Sequence, residues 1–307
     1  MSDLRIASFL PSGTEMVCAL GLGDQLVGIS HECDHPPGVR VKPVVVRCAV
    51  DMTGMSTREI DVAVSNHLRQ GKSLYELDEE ALRKAAPDLI VTQDLCQVCA
   101  PSGNEVTQVL AAMKPPPEII WQSPKTFEDV LQDFLKLGQR TGREAEAMRW
   151  IQEARGRIEQ ITRITQRLPA PTRVCFLEWV DPLYCGGHWI PEMVRWAGGS
   201  DPVSRNGTDS VRVAWDDILQ SSPEVLVVSP CGYDMEKALK QSEHLKTLSG
   251  WKDLPAVRNG RVYAVDGNSY FARPGPRLVD GVELLAYLIH PEHFEWNGSA
   301  NACRSVV

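Results

Sequence analysis

The segment Leu82-Arg-Lys-Ala-Ala-Pro87-Asp-Leu-Ile-Val91 aligns without a gap to Ile218-Leu-Gln-Ser-Ser-Pro223-Glu-Val-Leu-Val227. Each copy reads as a helix end, a proline stop and an apolar strand, because proline lacks an N–H and pushes the residue before it out of the helical region. A second pair of segments repeats in the same order. Arg5 to Leu10 is an apolar strand, turned by Pro11-Ser12-Gly13 into a helix over Thr14 to Leu22 that ends at Gly23. Arg173 to Glu178 is another apolar strand, followed by a loop from Trp179 to Trp189 and a helix from Pro191 to Ala197 that ends at Gly198-Gly199. Ser12 and Glu15 have capping-box spacing. Two such pairs in one order predict a duplicated α/β unit, with parallel sheets covered by helices on both faces.

A chain of 307 residues exceeds what one hydrophobic core usually serves. The expected fold is therefore α/β with two Rossmann-like lobes: an N-terminal lobe over 1–122, a helical connector over 123–170, a C-terminal lobe over 171–290 and an irregular tail over 291–307. Pro115-Pro116-Pro117 precedes a strand over Glu118 to Gln122. In the connector, Thr126 to Leu137 is amphipathic and is interrupted by Gly138 and Gly142. Arg143 to Leu168 then predicts one helix of about 26 residues, nearly 40 Å long at the standard rise. Such a pair of lobes suggests a cleft, and in open α/β sheets ligands bind beyond the carboxyl ends of the strands.

The formal net charge is −8 and the isoelectric point about 5.5, which disfavours binding to nucleic acid. No run approaches the roughly 20 apolar residues that span a bilayer, so no membrane insertion is expected. Met1-Ser2-Asp3-Leu4-Arg5 lacks the basic and apolar regions of a leader. Taken as given, this places the chain in the cytoplasm; a leader already removed would place it in the periplasm. Nine scattered cysteines agree with a reducing compartment, since an odd number over a long chain is not a disulfide framework.

The strand-end loops gather rings, thiols and imidazoles. They read Ser30-His31-Glu32-Cys33-Asp34-His35, then Thr92-Gln93-Asp94-Leu95-Cys96-Gln97-Val98-Cys99, then Glu178 to Trp189, which holds Trp179, Asp181, Tyr184, Gly186-Gly187-His188 and Trp189. Ser229-Pro230-Cys231-Gly232-Tyr233 and Asp266 to Arg273, with Phe271, follow. Flat rings with a few polar groups suit a large, partly apolar ligand, and Gly186-Gly187 permits close approach of backbone and ligand. Cys96 and Cys99 form a single C-x-x-C, a metal or redox signal that Cys33, Cys231 or His188 would have to complete. A metal-binding protein or metalloenzyme holding zinc or iron is the alternative this pattern leaves open. There is no P-loop, nucleophile elbow or dinucleotide fingerprint, so an enzyme is not expected.

Phe9-Leu-Pro11-Ser12-Gly-Thr14-Glu15, Leu20-Gly-Leu-Gly-Asp24 and Val27-Gly-Ile-Ser30-His-Glu-Cys-Asp34-His-Pro36 resemble the opening of the vitamin B12-binding members of the class III substrate-binding proteins of ABC transporters. Pro87 to Val91, Gly198-Gly199 and Tyr270-Phe-Ala-Arg273-Pro-Gly-Pro-Arg277 fit the same pattern, over roughly residues 4 to 290. The resemblance implies two lobes joined by a backbone helix and a cobalamin-like corrinoid between them. It implies contacts from Pro11 and Ser12, from His31, Glu32, Cys33 and Asp34, from the loop Trp179 to Tyr184, and from Tyr270 to Arg273. It also implies docking to an ABC permease through one acidic residue per lobe; the matching positions are Glu80 and Asp216, each seven residues before a repeat proline. The chain departs from the pattern in its soft donors and in an extra segment, Ser56 to Leu74. These departures lead to the expectation of a relative that stores, senses, hands over or transports a corrinoid, with His188 as an axial ligand to cobalt. A haem or ferric-siderophore binding protein shares the architecture and stays open.

Overall fold

A computed structural model of the chain describes residues 4–70, 73–93, 110 and 113–307. By compactness it divides into two units, Met1–Pro124 with Glu128–Trp150, and Lys125–Phe127 with Ile151–Val307. The first unit runs β1 (Ile6–Ser8), α1 (Pro11–Ala19), β2 (Leu26–Ser30), β3 (Val44–Cys48), α2 (Thr57–Arg69), β4 (Tyr75–Leu77), α3 (Glu79–Ala85), β5 (Leu89–Gln93) and β6 (Glu118–Gln122). Its sheet has the order β4-β3-β2-β1-β5-β6. All neighbours are parallel except β3 and β4, which pair antiparallel. β1 and β5 are buried along their whole length, which is why both read as unbroken apolar runs rather than alternating ones. Ala7, Phe9, Val45, Leu82 and Ile90 are among the residues that form the core of this unit.

Two long helices follow, α4 (Phe127–Arg140) and α5 (Glu144–Thr165). The expected interruption at Gly138 is not there. The helix continues through it, and a Cβ at Gly138 would lie 2.6 Å from the Cβ of Ala147, so the glycine is what lets α5 approach.

The second unit runs β7 (Thr172–Val180), β8 (Leu183–Cys185), α6 (Ile190–Trp196), β9 (Gly199–Ser200), α7 (Trp215–Ser221), β10 (Val225–Val228), α8 (Met235–Ser242), α9 (Pro255–Arg258), β11 (Val262–Val265), α10 (Gly267–Tyr270), α11 (Leu278–Ile289) and β12 (Cys303–Ser305). Its sheet has the order β12-β11-β10-β7-β8, with β9 added beside β7. The β10 strand is buried throughout and lies parallel to β7 and β11. The tail after Pro291 is not wholly irregular: β12 pairs antiparallel with β11, and Val306 enters the core. A three-residue strand at the end of a chain carries too short a pattern to stand out beforehand.

The duplication reaches individual hydrogen bonds. Ala86 and Ser222, each just before a repeat proline, both adopt left-handed backbone, with φ of 40° and 48°. The N–H of Arg5 donates to Asp88 at 2.9 Å while the Asp88 N–H donates to the Arg5 carbonyl at 2.8 Å. Arg173 and Glu224 reproduce both bonds, at 3.0 and 2.8 Å. Each arginine also uses Nε to hold the carbonyl of the left-handed residue, Ala86 or Ser222, thereby capping the helix C-terminus.

One local expectation fails. Ser12 does not cap α1. The helix begins at Pro11, Leu10 is the capping residue without a side-chain bond, and Ser12 lies inside the first turn, 1% exposed. Proline at the first helical position has the required φ already and lacks only an N–H that the helix could not have bonded.

Candidate functional site

In the first unit, the segment after β2 carries His31 and Glu32 on the surface and Cys33 inside. The Cys33 thiol lies 3.1 Å from the Thr14 hydroxyl, a contact that holds α1 against this loop. Tyr75, on the antiparallel edge strand β4, donates its hydroxyl to Glu32 at 3.5 Å, and its ring centroid is 6.4 Å from that of His31. Sequence reasoning missed Tyr75, because only the β3–β4 pairing brings it there. Pro11 is partly exposed where β1 turns into α1. At the ends of β5 and β6, the Thr92 hydroxyl and Gln122 Oε1 are buried and have no hydrogen-bond partner among the described residues. The Cys96–Cys99 pair lies outside the described residues.

In the second unit the strand-end groups separate into three sets. Trp179 and Tyr233 form the first, at the ends of β7 and β10. Their ring centroids are 5.4 Å apart at 53°, and the Trp179 indole N–H donates to the Asp181 carbonyl at 3.2 Å. The backbone N–H of Cys231 donates to the Glu178 carbonyl at 3.1 Å and so ties the β10 loop to β7, while the Cys231 residue itself is exposed. Burial raises the Tyr233 phenol above its usual range, which keeps it a neutral hydroxyl.

The second set depends on residues 201–213, which sequence reasoning did not assign to the site. This segment straps the β7–β8 hairpin and its continuation: Cys185 N–H donates to Val211, Arg205 N–H to Gly186, His188 N–H to Thr208 and Gly207 N–H to His188. Asp201 anchors the strap by accepting from the backbone of Phe176, Val203 and Ser204, and burial raises its carboxyl to about 6 despite these bonds. Glu178 accepts from the Gly187 N–H at 3.0 Å and from the Ser210 hydroxyl. Burial, outweighing both hydrogen bonds, raises its pKa. An acidic residue directly after the apolar run Val174 to Leu177 was the available signal for Glu178.

On this strap Asp209 meets His188 Nε2 at 3.1 Å, and Arg212 donates from Nε to the Tyr184 hydroxyl at 3.0 Å with its guanidinium carbon 5.6 Å from that ring's centroid. His188 has φ of 47°. Burial lowers its pKa, Asp209 only partly offsetting this, so the imidazole is neutral near neutral pH. The close approach at Gly187 is made by the chain itself and not reserved for a ligand: a Cβ there would lie 2.5 Å from the Ser210 nitrogen.

The third set is interior. Trp189 is 4% exposed and Phe271 2% exposed; the Trp189 indole donates to the Phe271 carbonyl at 2.9 Å, and the Phe271 ring packs edge-on against Phe176 at 5.2 Å. Arg273 is partly exposed just beyond, its carbonyl accepting from Gly275. Among the described residues no three His, Cys, Asp or Glu side chains converge on one metal-sized point, so Cys33, His188 and Cys231 do not form such a group.

Residues 6–268 match the model of the family described as periplasmic binding protein. An uncharacterised ABC transporter substrate-binding lipoprotein of Bacillus subtilis (strain 168) is 24% identical over 95% of this chain and 81% of its own length. A vitamin B12-binding protein of Vibrio parahaemolyticus is 23% identical over 95% of this chain and 89% of its own. Among solved structures, a periplasmic haem-binding protein from Roseiflexus superposes with a TM-score of 0.70 at 20% identity, covering 94% of this chain and 98% of the other. The periplasmic vitamin B12-binding protein of Vibrio cholerae superposes with a TM-score of 0.65 at 20% identity, covering 95% and 98%.

Proposed function

The chain belongs to the periplasmic binding protein family, with the class III substrate-binding fold, and on that premise we propose that it binds a cobalamin-like corrinoid through the strand-end residues of its units and performs no catalysis. The observation that carries this reading is the Trp179–Tyr233 pair at the ends of β7 and β10. Two large rings held at an angle, with the phenol kept neutral, offer apolar area and a hydroxyl to a macrocycle edged by amides. Relatives described as vitamin B12-binding support the ligand class. His31, Glu32 and Tyr75 are the matching candidates in the first unit.

His188 is the candidate axial ligand to cobalt. Its neutral imidazole, with Nε2 donating to Asp209, leaves Nδ1 with a lone pair, the arrangement in which an outer carboxylate orients a metal-binding histidine. The same feature favours haem as the second reading, and haem-binding proteins are among the structural neighbours.

Glu80 and Asp216 are exposed and sit in the first turns of α3 and α7, at equivalent places in the repeat; we assign them to docking on a permease. Three of the relatives compared above are described as periplasmic or as a lipoprotein, which lends no support to the cytoplasmic location expected from the N-terminus.

Titrating the full chain with hydroxocobalamin and with haemin, followed by absorbance and thermal melting, tests the proposal. The expected result is saturable stabilisation by hydroxocobalamin, about 2.7 kcal/mol when ligand exceeds Kd a hundredfold. His188→Ala is expected to retain binding while losing the shift of the corrin bands. Saturable binding of haemin with no response to hydroxocobalamin would replace the corrinoid by haem.

A further inference from the structure

Away from the strand-end groups, the second unit carries a cavity of about 520 Å³, a size that suits a small organic ligand. One wall is a single face of α5, where Arg157, Ile161 and Ile164 follow each other at helical spacing. Asp280 and Glu283 of α11 line it beside Arg157. Tyr270 and Trp296 also line it, and none of Trp179, Tyr184, His188, Cys231 or Tyr233 takes part.

Two features define what the cavity accepts. The first is charge. Arg157 binds both carboxylates, Asp280 at 2.5 Å and Glu283 at 2.7 and 2.8 Å. With Glu295 also in the lining, three carboxylates and one arginine line it, a formal excess of two negative charges, which the Arg277 guanidinium near Tyr270 only partly offsets. The second feature is the pair of rings. Tyr270 and Trp296 meet edge to face, 5.6 Å between centroids and 84° between planes, so they form two perpendicular aromatic walls. Trp296 is held by its own loop: its indole N–H donates to the Ser299 carbonyl at 2.9 Å, and a Cβ at Gly298 would lie 2.1 Å from the ring, so a side chain there would displace the ring. Burial, followed by the negative charges of Asp266 and Asp280, raises the Tyr270 phenol, so that ring stays neutral.

We propose that this cavity is a second binding site, for an organic ammonium ion whose charge lies against the Tyr270 and Trp296 rings and whose apolar part lies along Ile161 and Ile164. Aromatic faces attract cations through their quadrupole, most strongly where water is displaced, and the surplus carboxylate charge adds to that attraction. A bare metal ion suits the site poorly, because Arg157 already occupies the two carboxylates that would bind it.

Choline and its neutral isostere 3,3-dimethylbutan-1-ol separate charge from shape, and both are to be titrated into the full chain by calorimetry. Choline is expected to bind at least about tenfold more tightly than the isostere, as cation–π attraction at a partly desolvated site requires. Trp296→Ala is expected to weaken choline about tenfold or more, Trp296→Phe to keep most of the affinity, and Asp280→Asn to weaken choline without changing the isostere. Trp179→Ala, in the strand-end set, is expected to leave choline unaffected. Equal affinity for the two compounds overturns the proposal, as does the absence of choline binding up to about 10 mM, below any useful affinity. Choline binding that survives Trp296→Ala in a folded variant overturns it as well. None of these outcomes depends on whether the chain binds a corrinoid.

Discussion

Trp189 and Phe271, 82 positions apart, are joined by a 2.9 Å hydrogen bond from the indole N–H to the backbone carbonyl, with both side chains buried. The bond fastens the start of α6 to the segment that follows α10. Trp189→Phe keeps the apolar volume but leaves that carbonyl without its donor, which costs about 1–3 kcal/mol. Urea denaturation is expected to show this loss with corrinoid affinity unchanged. Lowered affinity at undiminished stability would return the Trp189 ring to the set of ligand contacts.

Trp179 is the opposite case, a ring on the strand-end surface whose partner is Tyr233. Trp179→Ala is expected to weaken the corrinoid by about tenfold or more, as truncation of a central aromatic contact does. Stability is expected to change little, since Trp179 is only partly buried. Fluorescence or absorbance titration reads the affinity, and thermal melting of the free protein reads the stability.

Gly187 tests the strap. A methyl group there would meet the backbone of Thr208 and Ser210 at 2.8 and 2.5 Å, and backbone cannot swing aside as a side-chain tip can. Gly187→Ala is therefore expected to destabilise the protein by about 1–3 kcal/mol, in the range of overpacked cores, and to expose residues 201–213 to protease. If the variant melts like the parent and the strap resists cleavage, the strap is not held as described.

Asp133 predicts a pH dependence. Burial raises its carboxyl to about 6, and its Oδ2 has no hydrogen-bond partner among the described residues. The folded state therefore holds a proton that the unfolded chain releases near pH 4. Stability from this group falls as pH rises from about 4 to about 6 and stays lost above that. Asp133→Asn is expected to gain about 1–2 kcal/mol at pH 7 and nothing at pH 4, measured as the difference between variant and parent in denaturant melts. Asp201 titrates over the same range, so the comparison with the parent isolates Asp133. A gain of equal size at both pH values would place the cause in packing rather than charge.

Much of the architecture was legible because the chain states it twice. Two apolar runs after two prolines at matched spacing are enough to place β5 and β10 inside parallel sheets, and the structure adds only that Arg5 and Arg173, at the starts of β1 and β7, bind the repeat in the same way. The candidate site was half legible. Rings and thiols at strand ends could be listed from strand periodicity, yet that list could not separate Trp179, which faces outward, from Trp189, which is buried. Both come after the apolar run Arg173 to Glu178 and have the same chemistry. Tyr75, Asp209, Ser210 and Arg212 were missed for a related reason: they reach their partners from 21 to 44 positions away along an edge strand or a strap that has no periodic pattern.

What the amino-acid order determined alone is therefore local and repetitive: where strands and helices lie, which faces are apolar, and which types of residue stand at strand ends. What only the tertiary structure decided is which of those residues point outward and which are consumed by the fold. Exposure, hydrogen-bond partners and shifted pKa values arise from segments distant in the chain, and no window along it contains the groups that set them.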